Sequence, residues 1–145
     1  MKNQTTKLNH PIRVDHMNMT VKDLDQSVEW YGNVFGFYLV EKGNYSGRRW
    51  TILRSEEFML CLYQSPNAEP KKISFGDYPR VSHFGFRITN REVWEKIMIE
   101  QAIPLRPDEP IRYPHSWSWY VLDPSGYEIE VTLWDNDQIL FNEPA

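Results

Sequence analysis

Hydrophobic and polar positions alternate in two stretches of the chain that match each other. Residues 14–21 read VDHMNMTV and residues 81–88 read VSHFGFRI. At an offset of 67 (81 − 14), Val aligns with Val, His with His, Met twice with Phe, and Val with Ile. A period of two predicts half-buried strands. In the first, Met17, Met19 and Val21 share one face, while His16, Asn18 and Thr20 share the other. In the second, Ser82, Phe84, Phe86 and Ile88 oppose His83, Gly85 and Arg87.

The period then lengthens to that of a helix. Asp23 and Gln26 have capping-box spacing, Val28, Tyr31, Val34 and Phe35 recur along one stripe, and Gly36 stops the run. In the second half Thr89 and Glu92 repeat the spacing, and Val93, Trp94, Ile97 and Met98 continue before Pro104. Three strand-like stretches follow each helix, at 37–42, 48–55 and 58–64, then at 110–114, 116–122 and 127–134. The segment 65–79, rich in Pro, Lys, Asn and Gly, is the expected link. The chain thus reads as one α+β domain over 1–145, written as two βαβββ modules at 13–65 and 80–135.

The repeat extends to the last strand of each module. FMLCLY at 58–63 lies over YEIEVT at 127–132, which sets Cys61 over Glu130 just as His16 lies over His83. Imidazole and carboxylate suit Fe, Mn, Zn, Ni and Co, and two His with one carboxylate leave coordination positions open for substrate. A single His or Glu on a strand is ordinarily a surface residue. Recurrence at matched positions of a repeat makes His16, His83 and Glu130 a candidate set for one divalent metal ion.

Composition narrows the function classes. A net charge of −4 argues against nucleic acid as a partner, since phosphate binding needs clustered positive charge. No run of about 18 apolar residues predicts a membrane span. The polar N-terminus lacks the apolar stretch of a secretion signal, and one cysteine excludes an intramolecular disulfide, so the expected location is cytoplasmic. Six Trp, eight Tyr and seven Phe suffice to build both a core and a small-molecule pocket.

The segments VDHMNMTVKDLDQSVEWYGNVFGF, VSHFGFRIT and SWYVLDPSGYEIEV resemble the signature regions of the glyoxalase/bleomycin-resistance/extradiol-dioxygenase (vicinal oxygen chelate) superfamily over about residues 13–134. The resemblance implies two βαβββ modules pairing into an eight-stranded open barrel, or cup, around a metal held by His16, His83 and Glu130. It also implies a homodimer, in which His16 of one subunit can meet His83 and Glu130 of the other. Glyoxalase I enzymes carry a fourth ligand, a Glu, where this chain has Cys61, here expected to be a buried and inert thiol. Extradiol dioxygenases carry a Tyr ten residues before the ligand Glu, the place of Tyr120, and a further acid/base His, a role open to His115. Fosfomycin-modifying transferases share the ligand set, but have a hydroxyl where Asn18 stands. Asn18 and Arg87 are the expected substrate-binding residues, Arg87 through a carboxylate or phosphate. Extradiol-type oxygenation of an aromatic compound is the first functional reading, because the triad has no fourth acidic ligand. The alternatives are a lyase, isomerase or thiol transferase, and a metal-free protein that sequesters a small molecule.

Overall fold

The computed structural model describes residues 11–65, 67 and 79–142. The elements run β1 (His16–Val21), α1 (Leu24–Phe35), β2 (Tyr38–Tyr45), β3 (Arg48–Ser55), β4 (Phe58–Gln64), β5 (Phe84–Ile88), α2 (Arg91–Glu100), β6 (Ile111–Tyr113), β7 (Ser116–Leu122) and β8 (Glu128–Trp134). A single 3-10 turn follows at Asp135–Asp137. Two βαβββ modules are therefore present, as the repeat predicts. The expected link at 65–79 lies almost wholly outside the described residues.

Each module folds its strands into a four-stranded sheet, in the order β1-β4-β3-β2 for the first and β5-β8-β7-β6 for the second. The first and last strands of a module pair in parallel, β1 with β4 and β5 with β8, and the helix makes the crossover. The other pairings are antiparallel. Among the described residues the two sheets do not join, so β1 and β5 are each an edge strand there.

Local chemistry explains the helix ends. Asp23 caps α1 by accepting a hydrogen bond from the Gln26 amide at 2.9 Å, and Gly36 closes it at φ 72°, a left-handed conformation that glycine adopts without strain. In α2 the cap is Asn90, not Thr89: its side chain accepts from the Val93 amide at 3.0 Å. Asn is the stronger capping residue of the two, and the helix starts one residue later than the capping-box spacing suggested.

Alternation decides burial. Met19, Val21, Leu60 and Leu62 turn inward on the first sheet, and Trp119, Val121, Ile129 and Val131 on the second. These faces and both helices form one core, with Tyr31 and Val34 from α1 and Trp94 from α2. Phe35 packs edge-on to Phe86 at 4.8 Å and stacks on Trp94 at 5.6 Å, while Phe37 and Phe58 also meet Phe86. The modules thus share an aromatic seam. The face of each sheet that bears the ligand candidates is turned away from it.

A second set of contacts clamps the modules. The D-P-S-G turn after β7 places buried Asp123 where Tyr31 donates to it at 2.8 Å. The same turn lets Ser125 Oγ accept from the Lys22 amide, and the Tyr127 hydroxyl donates to the Thr20 carbonyl.

Candidate metal centre

Parallel registration of β5 with β8 sets Gly85 beside Glu130, and antiparallel registration sets Tyr120 on its other side. Cα partners project to the same face of a sheet, so Arg87, Glu128, Glu130, Thr132, Ser118 and Tyr120 share one surface. His83 precedes β5 by one residue and turns onto that surface. Its Nε2 lies 3.1 Å from Glu130 Oε2, and its Nδ1 lies 3.5 Å from Glu128 Oε1. Both His83 and Glu130 are partly exposed.

The carboxylate is held from behind. Ser118 Oγ, itself buried at 1% exposure, donates to Glu130 Oε1 at 2.6 Å, and Thr132 Oγ1 lies 3.4 Å from the same oxygen. Oε1 is thereby engaged by the protein, which leaves Oε2 beside the imidazole. Tyr120 stands edge-on to His83 at 5.7 Å and shares a hydrogen bond of 3.1 Å with the Tyr113 hydroxyl. Burial, then the Tyr113 hydrogen bond, then the Glu130 charge all push the Tyr120 phenol above its ordinary pKa. It is a hydrogen-bond donor at neutral pH.

The other candidates are distributed as follows. His16 and Asn18 lie exposed on β1 of the first sheet, where the His16 Nδ1 meets Asp15 Oδ2 at 2.7 Å. Among the described residues no group of three or more His, Cys, Asp or Glu side chains stands close enough to hold a metal ion. One chain therefore unites His83 and Glu130 but does not bring His16 to them. Arg87 is not free for a substrate anion: it pairs with Asp137 at 2.5 Å, through both the side chain and the backbone carbonyl. Cys61 is half-buried rather than buried. It is the register partner of Asn18 and so faces the same side as His16. Burial, with the Asp15 charge, pushes its thiol up.

The tryptophans divide by strand parity. Trp119 fills the core, and Trp117 packs beside it under the Arg91 guanidinium, 4.7 Å above the ring. Trp50 covers Gly43, where an added Cβ would lie 2.5 Å from the indole. Trp134 shares the Glu130 face of β8, and the two line a cavity of about 430 Å³. His115 lines the same cavity, with its Nε2 2.8 Å from Asn142 Oδ1. A larger cavity, of about 970 Å³, runs along the aromatic seam and touches none of the three ligand candidates.

Sequence reasoning did not find Ser118 or the tail residues Leu140, Phe141 and Asn142. Ser118 was within reach: it is two residues from Tyr120 and therefore shares its face. The tail has no periodicity to betray its position.

A family model described as the Glyoxalase/Bleomycin resistance protein/Dioxygenase superfamily matches residues 13–131. No curated protein matches the sequence. Among solved structures, the fold is similar to a glyoxylase/bleomycin resistance protein/dioxygenase domain from Frankia sp. EAN1pec, with a TM-score of 0.73, 17% identity, and coverage of 89% of this chain and 96% of that one. It is also similar to a lactoylglutathione lyase from Agrobacterium tumefaciens (TM-score 0.61, 23% identity, 85% and 94% covered). A third is the fosfomycin resistance protein FosX from Mesorhizobium loti (TM-score 0.65, 16% identity, 84% and 91% covered). At these identities the solved structures speak for the fold alone, and the match of the family model over most of the length settles membership: this chain belongs to the Glyoxalase/Bleomycin resistance protein/Dioxygenase superfamily.

Proposed function

We propose that the protein is a metal-dependent enzyme acting on a small molecule, with a divalent ion held by His83 and Glu130 of one subunit and His16 of the partner subunit in a homodimer. The observation that carries this is the His83–Glu130 pair, whose nitrogen and oxygen lie 3.1 Å apart on a surface where Ser118 fixes the carboxylate and Glu128 flanks the imidazole. A neutral imidazole and a buttressed carboxylate are the donor types that Fe, Mn, Zn, Ni and Co accept, and such outer contacts hold ligands in place. The third donor is on the other sheet. Joining the free edge of β1 to the free edge of β5 in a second copy would continue one sheet into the other, with His16 and Glu130 on one face.

When bound, the ion supplies Lewis acidity and open positions for substrate oxygen. The residues of the chain supply orientation. Ser118 keeps Glu130 from turning away, and Tyr120 offers a phenol O–H to a substrate oxygen beside His83. His115 faces the same cavity as Glu130 and is placed to accept or return a proton.

Within this reading we favour extradiol-type oxygenation, because Cys61, not a carboxylate, occupies the fourth matched position and Tyr120 stands at Glu130. Lyase, isomerase or thiol-transferase chemistry is the alternative. Oxygen uptake with a panel of catechols, against adduct formation with thiols, separates them.

The site itself is tested by metal content of His16→Ala and Glu130→Ala, each alone and mixed. Each variant alone should be empty. After exchange, about a quarter of all sites in the mixture should bind metal, because half of the dimers pair the two lesions in one site and leave the other intact. A mixture as empty as its parents would end the shared-site reading, and wild-type protein that takes up no metal would end the enzyme reading.

A further inference from the structure

The chain after β8 does not leave the molecule at once. Arg87 holds Asp137, and the segment then runs back across the surface that bears Glu130. Phe141 meets Trp134 edge-on at 5.3 Å, and Asn142 Oδ1 accepts from His115 Nε2 at 2.8 Å. The result is the cavity of about 430 Å³, lined by Leu140, Phe141 and Trp134 and also by Glu130. That volume lies in the range of small-molecule pockets, about 300–1,000 Å³.

From this we infer that residues 140–142 are a substrate-binding wall, and that the cavity takes a compact aromatic molecule whose ring body is uncharged and carries a hydroxyl. The inference names the substrate class of the enzyme proposed above and rests on that reading for the role of Glu130. Three observations carry it.

First, the walls are apolar and aromatic. Phe141 remains 73% exposed although it packs on Trp134, so its outer surface is open to a second ring. Second, the cavity lining contains no lysine or arginine among the described residues. Two guanidinium groups of this sheet are held by the turn that leads into the tail, Arg87 by Asp137 and Arg112 by Asp135, each at 2.5 Å. A carboxylate or phosphonate on the body of the ligand would therefore meet no lysine or arginine among the described lining residues, and would face the Glu130 carboxylate. Arg87, the expected anion-binding residue, is the one paired with Asp137. Third, the polar groups that do line the cavity serve a hydroxyl: the Tyr113 phenol, the Thr132 hydroxyl, and the His115–Asn142 pair.

Protein stripped of metal by a chelator provides the test, so that it does not depend on the metal site. Titration of 4-ethylphenol and of 4-ethylbenzoate, followed by the indole N–H signal of Trp134 in protein NMR, compares a neutral ring with its anionic counterpart. The phenol should bind about ten times more tightly, and Phe141→Ala should weaken it about tenfold, the scale of a lost aromatic contact. Phe141 is exposed, so an unchanged melting temperature will accompany that loss. The inference is overturned if 4-ethylbenzoate binds as well as the phenol, if neither moves the Trp134 signal, or if Phe141→Ala binds like wild type. Phenol binding by a chain that never takes up metal would sink the enzyme reading and leave the cavity standing. A loaded metal site with no phenol binding would do the reverse.

Discussion

Asp123 is 5% exposed and receives hydrogen bonds from Tyr31 and from the amides of Ser125 and Tyr127. Burial raises its pKa, and those hydrogen bonds oppose the rise without cancelling it. A carboxyl whose folded pKa stands above its unfolded value stabilises the fold below the unfolded value, near 4, and that contribution is lost as pH climbs through the folded pKa. At neutral pH the burial of this carboxyl therefore costs the clamp between modules some stability. Asp123→Asn keeps an oxygen for both amides and removes the charge. It should match or exceed wild type by up to about 1 kcal/mol at pH 7, with the advantage vanishing near pH 4. Denaturant melts at several pH values check this, and an Asn variant much weaker at pH 7 would show the charge to be net favourable. Asp123→Ala, which abandons all three donors, should cost about 3 kcal/mol or more. Ser118 acts differently, through a single contact with Glu130. Ser118→Ala should lower metal affinity about 10- to 100-fold, the usual effect of losing a group that orients a ligand. Its melting temperature should barely move, and competition with a chelator dye measures the difference.

Each helix and strand follows from residues close in sequence, and this is why the elements were legible. Period two marked β1 and β5, and the matched offsets carried the repeat through to β4 and β8. The α2 start was misread by one residue because Thr89 and Asn90 both cap well and the Glu92 spacing favoured the wrong one. The structure makes a distinction that stability measurements can check: Asn90→Ala should cost about 1 kcal/mol, whereas Thr89→Ala should stay within about 0.5 kcal/mol. Equal losses would mean that Thr89 shares the cap. Of the candidate site, the pairing of His83 with Glu130 was legible from alternation and the repeat. Arg87 was not, because its partner Asp137 sits in a turn fifty residues away with no pattern to announce it. The tail escaped for the same reason. Ile139, Leu140 and Phe141 are a short apolar run in a polar setting, and only the tertiary course of the chain shows what they cover.

On the scale of the whole molecule, the back-to-back packing of the modules leaves something unfinished. Among the described residues no strand lies on the outer side of β1 or β5, and such an edge is an invitation to a further strand. Beside both edges runs the apolar cavity of the aromatic seam, flanked by Val14 and Met17 near β1, by Phe84 on β5, and by Val93 on α2. Val14 and Val93 are exposed there, a pattern that marks association surfaces. A second copy placed along these edges would cover the groove and bring His16 of one chain toward the His83–Glu130 pair of the other. Metal binding and dimerisation are then one equilibrium, and each must strengthen the other by the same factor. Val93→Glu separates the ideas cleanly. Val93 is 54% exposed on α2, far in sequence from every ligand candidate except His83, and a glutamate suits an exposed helical position. The variant should fold with near wild-type stability, yet sediment as a monomer at concentrations where wild type is a dimer. Its metal affinity should fall at least about tenfold in parallel, the fall expected when 1.4 kcal/mol of coupling is lost. Sedimentation and metal content on the same samples decide the matter. A monomer that keeps its metal would locate a complete site within one chain, and a dimer that loses it would place the defect in α2 rather than in the interface.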